Sequence, residues 1–187
     1  MPESRSKDPF VWIDCEMTGL DSESDTIMSL CCFITDYNLN IMDEAGYEAI
    51  IHHDQAQLDI MGPWCKKHHA ASGLSKACLE SSTTAATAAL GLLAYIQKYV
   101  PEKRKALLAG NSVHADKAFL TKEPWRKVVK HLHHRILDVS AIKEAARRWA
   151  PDEVLKGCPQ KLGKHEARED ILESIREARY YKEKLFQ

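Results

Sequence analysis

WIDCEMTGL, residues 12–20, is the stretch that decides the fold: an apolar run from Phe10 to Ile13 leads into Asp14 and Glu16, with Cys15 between them. On a strand, side chains two residues apart share a face, which places the two Cα atoms about 6–7 Å apart. Two carboxylates about 5 Å apart at an effective dielectric near 20 repel each other by about 3 kcal/mol. We therefore expect a cation beside them. The alternative is a frayed strand end that leaves both acids in water.

The composition is that of an ordinary globular protein. The 187 residues are 44% hydrophobic and 28% charged, with a net charge of −1, which argues against disordered, collagen-like and coiled-coil chains. A chain of this length fits one core, so we expect a short N-terminal arm over residues 1–9 and a single domain over 10–187. Balanced charge gives no general attraction to a long polyanion, so any nucleic-acid ligand should be short or held locally.

The cysteines and the hydropathy pattern indicate an intracellular protein. The six cysteines show no C-x-x-C spacing, and three of them lie in apolar runs, which is typical of reduced, mostly buried thiols. No apolar stretch reaches the roughly 18–20 residues of a membrane span, and the N-terminal residues lack an apolar signal segment. We expect a reducing compartment, either cytoplasm or mitochondrion.

Apolar periodicity predicts strands first and then strands alternating with helices. Strands are predicted over 10–14, 27–35, 44–52, 106–109 and 136–137. Helices are predicted over 62–70, 83–99, 112–121, 124–131, 139–149 and 166–185. Asn111 or Ser112 should cap the third of these helices, and the prolines and glycines of 151–164 predict a loop. This order indicates a mixed α/β fold whose first three strands form a meander.

Another acid, Asp116, lies beside a predicted apolar face. In the helix predicted over 112–121, Asp116 is one turn from Phe119 and Leu120. An acid at the edge of a core needs a partner. The alternative is a surface position paired with Lys117 or Lys122.

The last predicted helix begins with His165 and Asp170, five residues apart. On one continuous helix that spacing separates two side chains by about 140°, so they converge only if His165 precedes the helix. Asp170 then borders the buried face beside Ile171. Alternatively, Glu166, Glu169 and Asp170 only complement the helix dipole.

Four blocks in order resemble the DEDDh 3′→5′ exonucleases, a family with a ribonuclease H-like fold. The blocks are WIDCEMTGLD, GNSVHADKAFL, RILDVSAIKEAARRW and HEAREDILESIREARYYKE. They are most similar to the oligoribonuclease branch, over nearly the whole chain from Phe10 to Phe186. The resemblance implies a mixed sheet of about five strands flanked by helices. It also implies hydrolysis of short oligoribonucleotides, from dinucleotides up to a few nucleotides, to nucleoside 5′-monophosphates.

The resemblance assigns the acids to metal ions. Four carboxylates without a thiolate select Mg²⁺ or Mn²⁺, and two such ions stabilise the attacking and leaving oxygens of phosphodiester hydrolysis. Asp14 would bridge both ions, with Glu16 and Asp170 on the first. Asp116 would support the second. His165, neutral near pH 7, would deprotonate the attacking water.

The resemblance also implies substrate contacts. Leu20 would wedge between two bases and Trp64 would stack on one, worth about 1–3 kcal/mol per base without reading sequence. The alternative for Trp64 is core packing. A cap on the 5′-phosphate would use His69, Ser112, Arg135 and Ser140.

Relatives of this family are homodimers that share residues across their interface, and the resemblance implies the same here. Two positions depart from the family pattern: His134 stands where relatives often carry tyrosine, and Ser29 where many carry glutamate. His134 would supply the aromatic contact to the substrate across the interface.

Three other functions are compatible with parts of the sequence. A structural zinc protein would explain the histidines, but no Cys-His spacing supports it and HEARED lacks the second histidine of H-E-x-x-H. A catalytically inactive nucleic-acid-binding member of the fold is the second. The main alternative is a DEDDh exonuclease that acts on longer RNA or on DNA 3′ ends.

Overall fold

A mixed five-stranded sheet organises the described part of the chain, residues 6–159 and 167–186 of the computed structural model. The strands are β1 Phe10–Met17, β2 Ile27–Thr35, β3 Tyr47–Ile50, β4 Leu107–Gly110 and β5 Ile136–Asp138. Their order is β3-β2-β1-β4-β5. The first three are antiparallel neighbours, and β4 and β5 continue parallel to β1. The predicted meander and mixed sheet are confirmed.

Helices cover both faces of this sheet. They are α1 Gln55–Asp59, α2 Pro63–Ala71, α3 Leu74–Glu80, α4 Ala85–Tyr99, α5 His114–Leu120, α6 Arg126–His131, α7 Val139–Trp149, α8 Asp152–Lys156 and α9 Ala167–Leu185. The six predicted helices are confirmed, with shifts of no more than two residues at their ends. The short helices α1 and α3 were not predicted, because five to seven residues span too few turns to show a helical period.

The prediction of a loop over 151–164 is wrong at its start, where α8 lies. Pro151 immediately precedes the helix and its carbonyl accepts the Val154 N–H at 3.0 Å. The Gly157 N–H closes the last turn on the Glu153 carbonyl at 3.0 Å. Proline before the first turn and glycine at the end are helix boundary signals as well as loop signals. Residues 160–164 of this predicted loop lie outside the described residues.

Alternation along β1 divides the core between two helical layers. Ile13 and Cys15 pack with α4, α5 and α6 in one cluster. Trp12, fully buried, packs with Ile171 and Ile175 of α9 in the other. Burying each isoleucine side chain contributes about 1.5–3 kcal/mol. Because side chains two apart share a face, the α9 contact on Trp12 also directs Asp14 toward α9.

The end of β1 extends beyond its parallel neighbour. The ladder between β1 and β4 covers Phe10 to Trp12 and Leu107 to Ala109. At Gly110 a Cβ would lie 3.3 Å from the Ile13 carbonyl and 3.2 Å from Val113, so glycine allows the chain to pass close to β1 there. The carboxyl ends of β1, β4 and β5 thus leave a crevice, the usual place for ligands in open α/β sheets.

The predicted capping of α5 by Asn111 or Ser112 is wrong. The helix begins at His114, its N-cap is Val113, and no side chain caps it. Ser112 adopts a left-handed φ of 52°. The Asn111 amide is instead bonded to α9, at the crevice described below.

The cysteines are all free, as predicted. Cys15, Cys31, Cys32 and Cys78 are buried, and Cys65 and Cys158 are half-buried. None of the helices among the described residues combines the length and apolar character that a membrane span requires.

Candidate active site

Three carboxylates meet at the open end of β1. One oxygen each from Asp14, Glu16 and Asp170 lie within 4.8 Å of one another, and all three side chains are half-buried. Asp14 and Glu16 share a strand face, while Asp170 comes from the first turn of α9. The frayed-end alternative is wrong, because β1 pairs with β2 through Met17. Asp170 lies at the helix N-terminus as the dipole alternative requires, but its carboxylate also completes this cluster.

Asp116 joins the same region from the opposite side of the strand. Its side chain is buried, and Oδ1 accepts the Cys15 N–H at 3.0 Å. That N–H lies beyond the ladder between β1 and β4, which ends at Trp12. The surface alternative for Asp116 is wrong: Lys117 and Lys122 donate to other segments.

The electrostatics of the cluster favour a bound cation. Burial raises the pKa of Glu16 to about 7, and the charges of Asp170 and Asp116 add to the effect. Burial likewise raises the pKa of Asp116 to about 6, although the Cys15 N–H opposes it. Half-buried carboxylate oxygens that repel one another are the donor set that Mg²⁺ and Mn²⁺ prefer. The residues present therefore fit such ions.

Asp138, at the end of β5, joins three segments at the crevice. Its Oδ1 accepts the backbone N–H groups of Ser112 and Ser140, both at 3.0 Å. Its Oδ2 lies 3.0 Å from Nδ1 of His114. The hydroxyls of Ser112 and Ser140 are thereby brought within 3.1 Å of each other. Sequence reasoning missed Asp138, although an acid directly after an apolar strand is the same signal that identified Asp14.

Asn111 connects the end of β4 to the helix that carries Asp170. Its amide nitrogen donates to Ser174 Oγ at 2.8 Å and to Glu177 at 3.1 Å, and its oxygen accepts from Ser140 at 3.0 Å. Ser174 Oγ donates to the Asp170 carbonyl at 2.8 Å. The serine pair and Asp170 thus belong to one hydrogen-bonded network. Asn111 was considered only as a helix cap, and nothing in its local sequence indicates this role.

Leu20 projects from a tightly bonded turn. Its side chain is 89% exposed. The Asp25 carboxylate accepts from Thr18 Oγ1 at 2.9 Å and from the Asp21 N–H at 3.0 Å. A Cβ at Gly19 would collide with that carboxylate, so glycine is required there. The turn holds an apolar side chain in solvent, close to the end of β1.

Trp64 and His69 lie on α2 in contrasting environments. Trp64 is 62% exposed and stacks on the His68 ring with centroids 4.0 Å apart, so the core-packing alternative is wrong. His69 is buried, and its Nε2 lies 2.9 Å from the Met17 carbonyl. That contact holds α2 against the end of β1. A contact from His69 to phosphate stays a prediction.

The remaining predicted contacts lie near β5 or outside the described residues. His134 and Arg135 are exposed immediately before β5, and the His134 ring stacks on His133 with centroids 4.3 Å apart. Their roles toward a substrate stay predictions. His165 lies outside the described residues.

Comparison with known proteins defines the class. A family model described as exonuclease matches residues 11–178. The fold is similar to that of E. coli exonuclease I, solved in complex with a 5cy-dT13 oligonucleotide, with a TM-score of 0.68 at 15% identity over 96% of this chain and 41% of that chain. The ribonuclease H-like sheet is therefore confirmed, and the protein is an enzyme of the exonuclease class.

Two curated relatives narrow the class. A probable oligoribonuclease of Schizosaccharomyces pombe is 49% identical over 96% of this chain and 69% of that protein. A mitochondrial oligoribonuclease of Homo sapiens is 47% identical over 94% of this chain and 73% of that protein. The chain belongs to the oligoribonuclease family of 3′→5′ exoribonucleases, which confirms the resemblance drawn from the sequence.

Proposed function

We propose that the protein hydrolyses short oligoribonucleotides from their 3′ ends, from dinucleotides up to a few nucleotides, and so completes RNA degradation. The products would be nucleoside 5′-monophosphates. The observation that carries this proposal is the meeting of Asp14, Glu16 and Asp170 at the crevice of the sheet. The family membership of the chain supports the choice of RNA.

We propose that Asp14, Glu16, Asp116 and Asp170 hold two divalent ions, Mg²⁺ or Mn²⁺. Their hard oxygen donors and the raised pKa of Glu16 support this assignment. When bound, such a pair stabilises the attacking and leaving oxygens of phosphodiester hydrolysis.

The protein's own groups would hold the substrate and move the proton. Leu20 and Trp64 offer exposed apolar surfaces for two bases. The paired hydroxyls of Ser112 and Ser140 would bind a terminal 5′-phosphate together with Arg135. His165 is proposed as the general base on the family resemblance alone.

We extend the proposal to assembly and location. Residues 10–187 would form one exonuclease domain, consistent with the family match over 11–178. The domain would form a homodimer in which His134 reaches the partner's site. The free cysteines favour a reducing compartment, cytoplasm or mitochondrion, and several relatives are named mitochondrial.

The test is the rate of hydrolysis against oligonucleotide length. Ribo- and deoxyribo-oligonucleotides of two to 20 residues, each with a 5′-phosphate, are assayed with Mg²⁺, with Mn²⁺ and with EDTA. We expect ribodinucleotides to be hydrolysed fastest and EDTA to abolish the reaction. Equal rates for dinucleotides and 20-mers would instead favour an exonuclease acting on longer RNA or on DNA.

A further inference from the structure

A second charged region lies on the other side of α5 from the acids. It is a cleft of about 940 Å³ between α5, α6 and the turn before β4. Its charged or titratable lining side chains are Lys103, Arg104, Lys117, Arg126, Lys130 and His134. The other lining residues are a threonine and two aliphatic residues, so none of the lining residues that the structure describes is an acid.

The positive charge of the cleft is not neutralised locally. Within the described ranges, none of its five lysines and arginines forms an ion pair with a carboxylate, whereas Lys76, Lys105 and Arg148 elsewhere do. The pKa of His134 is lowered, first by the charge of His133 and further by Arg135, Lys117 and Arg104. Cations gathered without counter-charges attract a polyanion.

Main-chain contacts hold the cleft in shape. Arg104 adopts a left-handed φ of 61°, and its N–H donates to the His131 carbonyl at 2.7 Å. His131 Nε2 lies 2.7 Å from the Val100 carbonyl. Lys117 Nζ donates to the His134 carbonyl at 2.8 Å. These contacts tie the turn before β4, the end of α6 and the start of β5 together, so the cations belong to a built surface.

The cleft and the acids are separated by a single helix. Asp116 and Lys117 are consecutive, and successive helical side chains point about 100° apart. Asp116 therefore bonds to Cys15 on β1 while Lys117 lines the cleft.

We propose that this cleft binds the phosphate backbone of single-stranded RNA as an exosite separate from the acidic cluster. It would retain strands longer than those we propose the active site hydrolyses. The ligand is RNA because its phosphate groups match dispersed lysines and arginines, and because the chain belongs to a family of exoribonucleases. The exosite goes beyond the proposed function, since binding there requires neither metal nor hydrolysis.

The test is equilibrium binding of a fluorescent 20-mer RNA to the full chain in EDTA, over a range of salt. The double variant Arg126→Gln/Lys130→Gln is compared with Lys76→Gln/Lys156→Gln, which changes net charge equally at exposed positions outside the cleft. We expect the cleft variant to bind at least fivefold more weakly. The slope of log K against log salt concentration should become shallower by about 1.4. Each phosphate contact to a single strand contributes about 0.7 to this slope, and the variant loses two contacts. Hydrolysis of a dinucleotide should be unchanged.

Three results would overturn the exosite. One is equal affinity and salt dependence in the two double variants. The second is competition by poly-glutamate as effective as competition by RNA. The third is a change of oligomeric state confined to the cleft variant in sedimentation, which would assign the cleft to subunit contacts. Failure of the wild-type chain to hydrolyse dinucleotides would refute the proposed function and leave this binding result intact.

Discussion

The acidic cluster and the basic cleft lie on two sides of α5 and show opposite ways of using charge. The three clustered acids are half-buried and close together, and burial raises the pKa of Glu16 to about 7. The cations of the cleft are spread over an open surface. Buried like charges require a compact partner, whereas open ones are screened by salt and suit an extended partner. The net charge of −1 conceals both regions.

The largest expected effect comes from removing a charge at the centre of the acidic cluster. Asp14→Asn should lower the rate of dinucleotide hydrolysis about 100- to 1,000-fold, because electrostatic groups at the reacting centre have effects of this size. The melting temperature should hold. The control Asp152→Asn removes an exposed acid at the start of α8 and should retain full activity. Full activity of Asp14→Asn would show that the acidic cluster is only structural and would remove its contrast with the basic cleft.

The raised pKa of Glu16 predicts a pH dependence of stability in EDTA. The folded pKa of about 7 exceeds the ordinary 4.5, so folding favours the protonated acid. This contribution is complete below pH 4.5 and is lost as the pH rises to 7. The free energy of unfolding should therefore fall by about 2–3 kcal/mol across this range, and Glu16→Gln should remove that part of the slope.

Urea unfolding at several pH values would measure this slope. Asp116 titrates in the same range and leaves a residual slope in the variant. Parallel slopes for wild type and Glu16→Gln would show that folding does not raise the pKa of Glu16.

Loss of Asp138 should have an intermediate effect on activity. Asp138 joins segments at the crevice through hydrogen bonds but does not belong to the acidic cluster. Asp138→Ala removes the N-cap of α7 and the acceptor for the Ser112 N–H. We expect a loss of about 2 kcal/mol in the free energy of unfolding and a raised KM for 5′-phosphorylated dinucleotides.

The matched control for Asp138 is Asp54→Ala, which removes the N-cap of α1. It should lose about 1 kcal/mol of stability and leave KM unchanged. Equal KM values for the two variants would separate Asp138 from phosphate binding.

The smallest effect should come from an uncharged position, Leu20. Because its side chain is exposed, Leu20→Ala should change the free energy of unfolding by less than about 0.5 kcal/mol. The KM for dinucleotides should rise about fivefold, equivalent to about 1 kcal/mol of lost base contact. The control Ile60→Ala removes another exposed apolar side chain, 82% exposed. A KM equal to that of the control would assign Leu20 no part in binding.

Local sequence patterns predicted the acidic cluster but could not predict the basic cleft. Asp14 and Glu16 stand two apart on an apolar strand, and Asp116 beside two apolar helical positions, so each carries its signal within a few residues. The cations of the cleft are scattered from Lys103 to Lys130, and only the packing of α6 against α5 gathers them. The composition gives only the net charge of all cations and acids together, which is nearly zero.

The errors in secondary structure have a similar physical origin. Strand β2 was predicted with its observed ends, because nine mainly apolar residues separate it clearly from its flanking turns. The helix α8 is too short to establish a period, and its boundary residues were interpreted as loop formers. Asn111 was assigned to a local cap, but the two acceptors of its amide nitrogen lie more than 60 positions later in the chain.

The turn that carries Leu20 has a consequence for how fast a ligand can be captured. Asp25 holds the turn through Thr18 and Asp21, so its backbone entropy is lost during folding and not during association. An arriving dinucleotide would meet a surface that is already arranged, and only the ligand would have to give up conformational freedom. Ordering of this turn should therefore not slow the capture of the ligand.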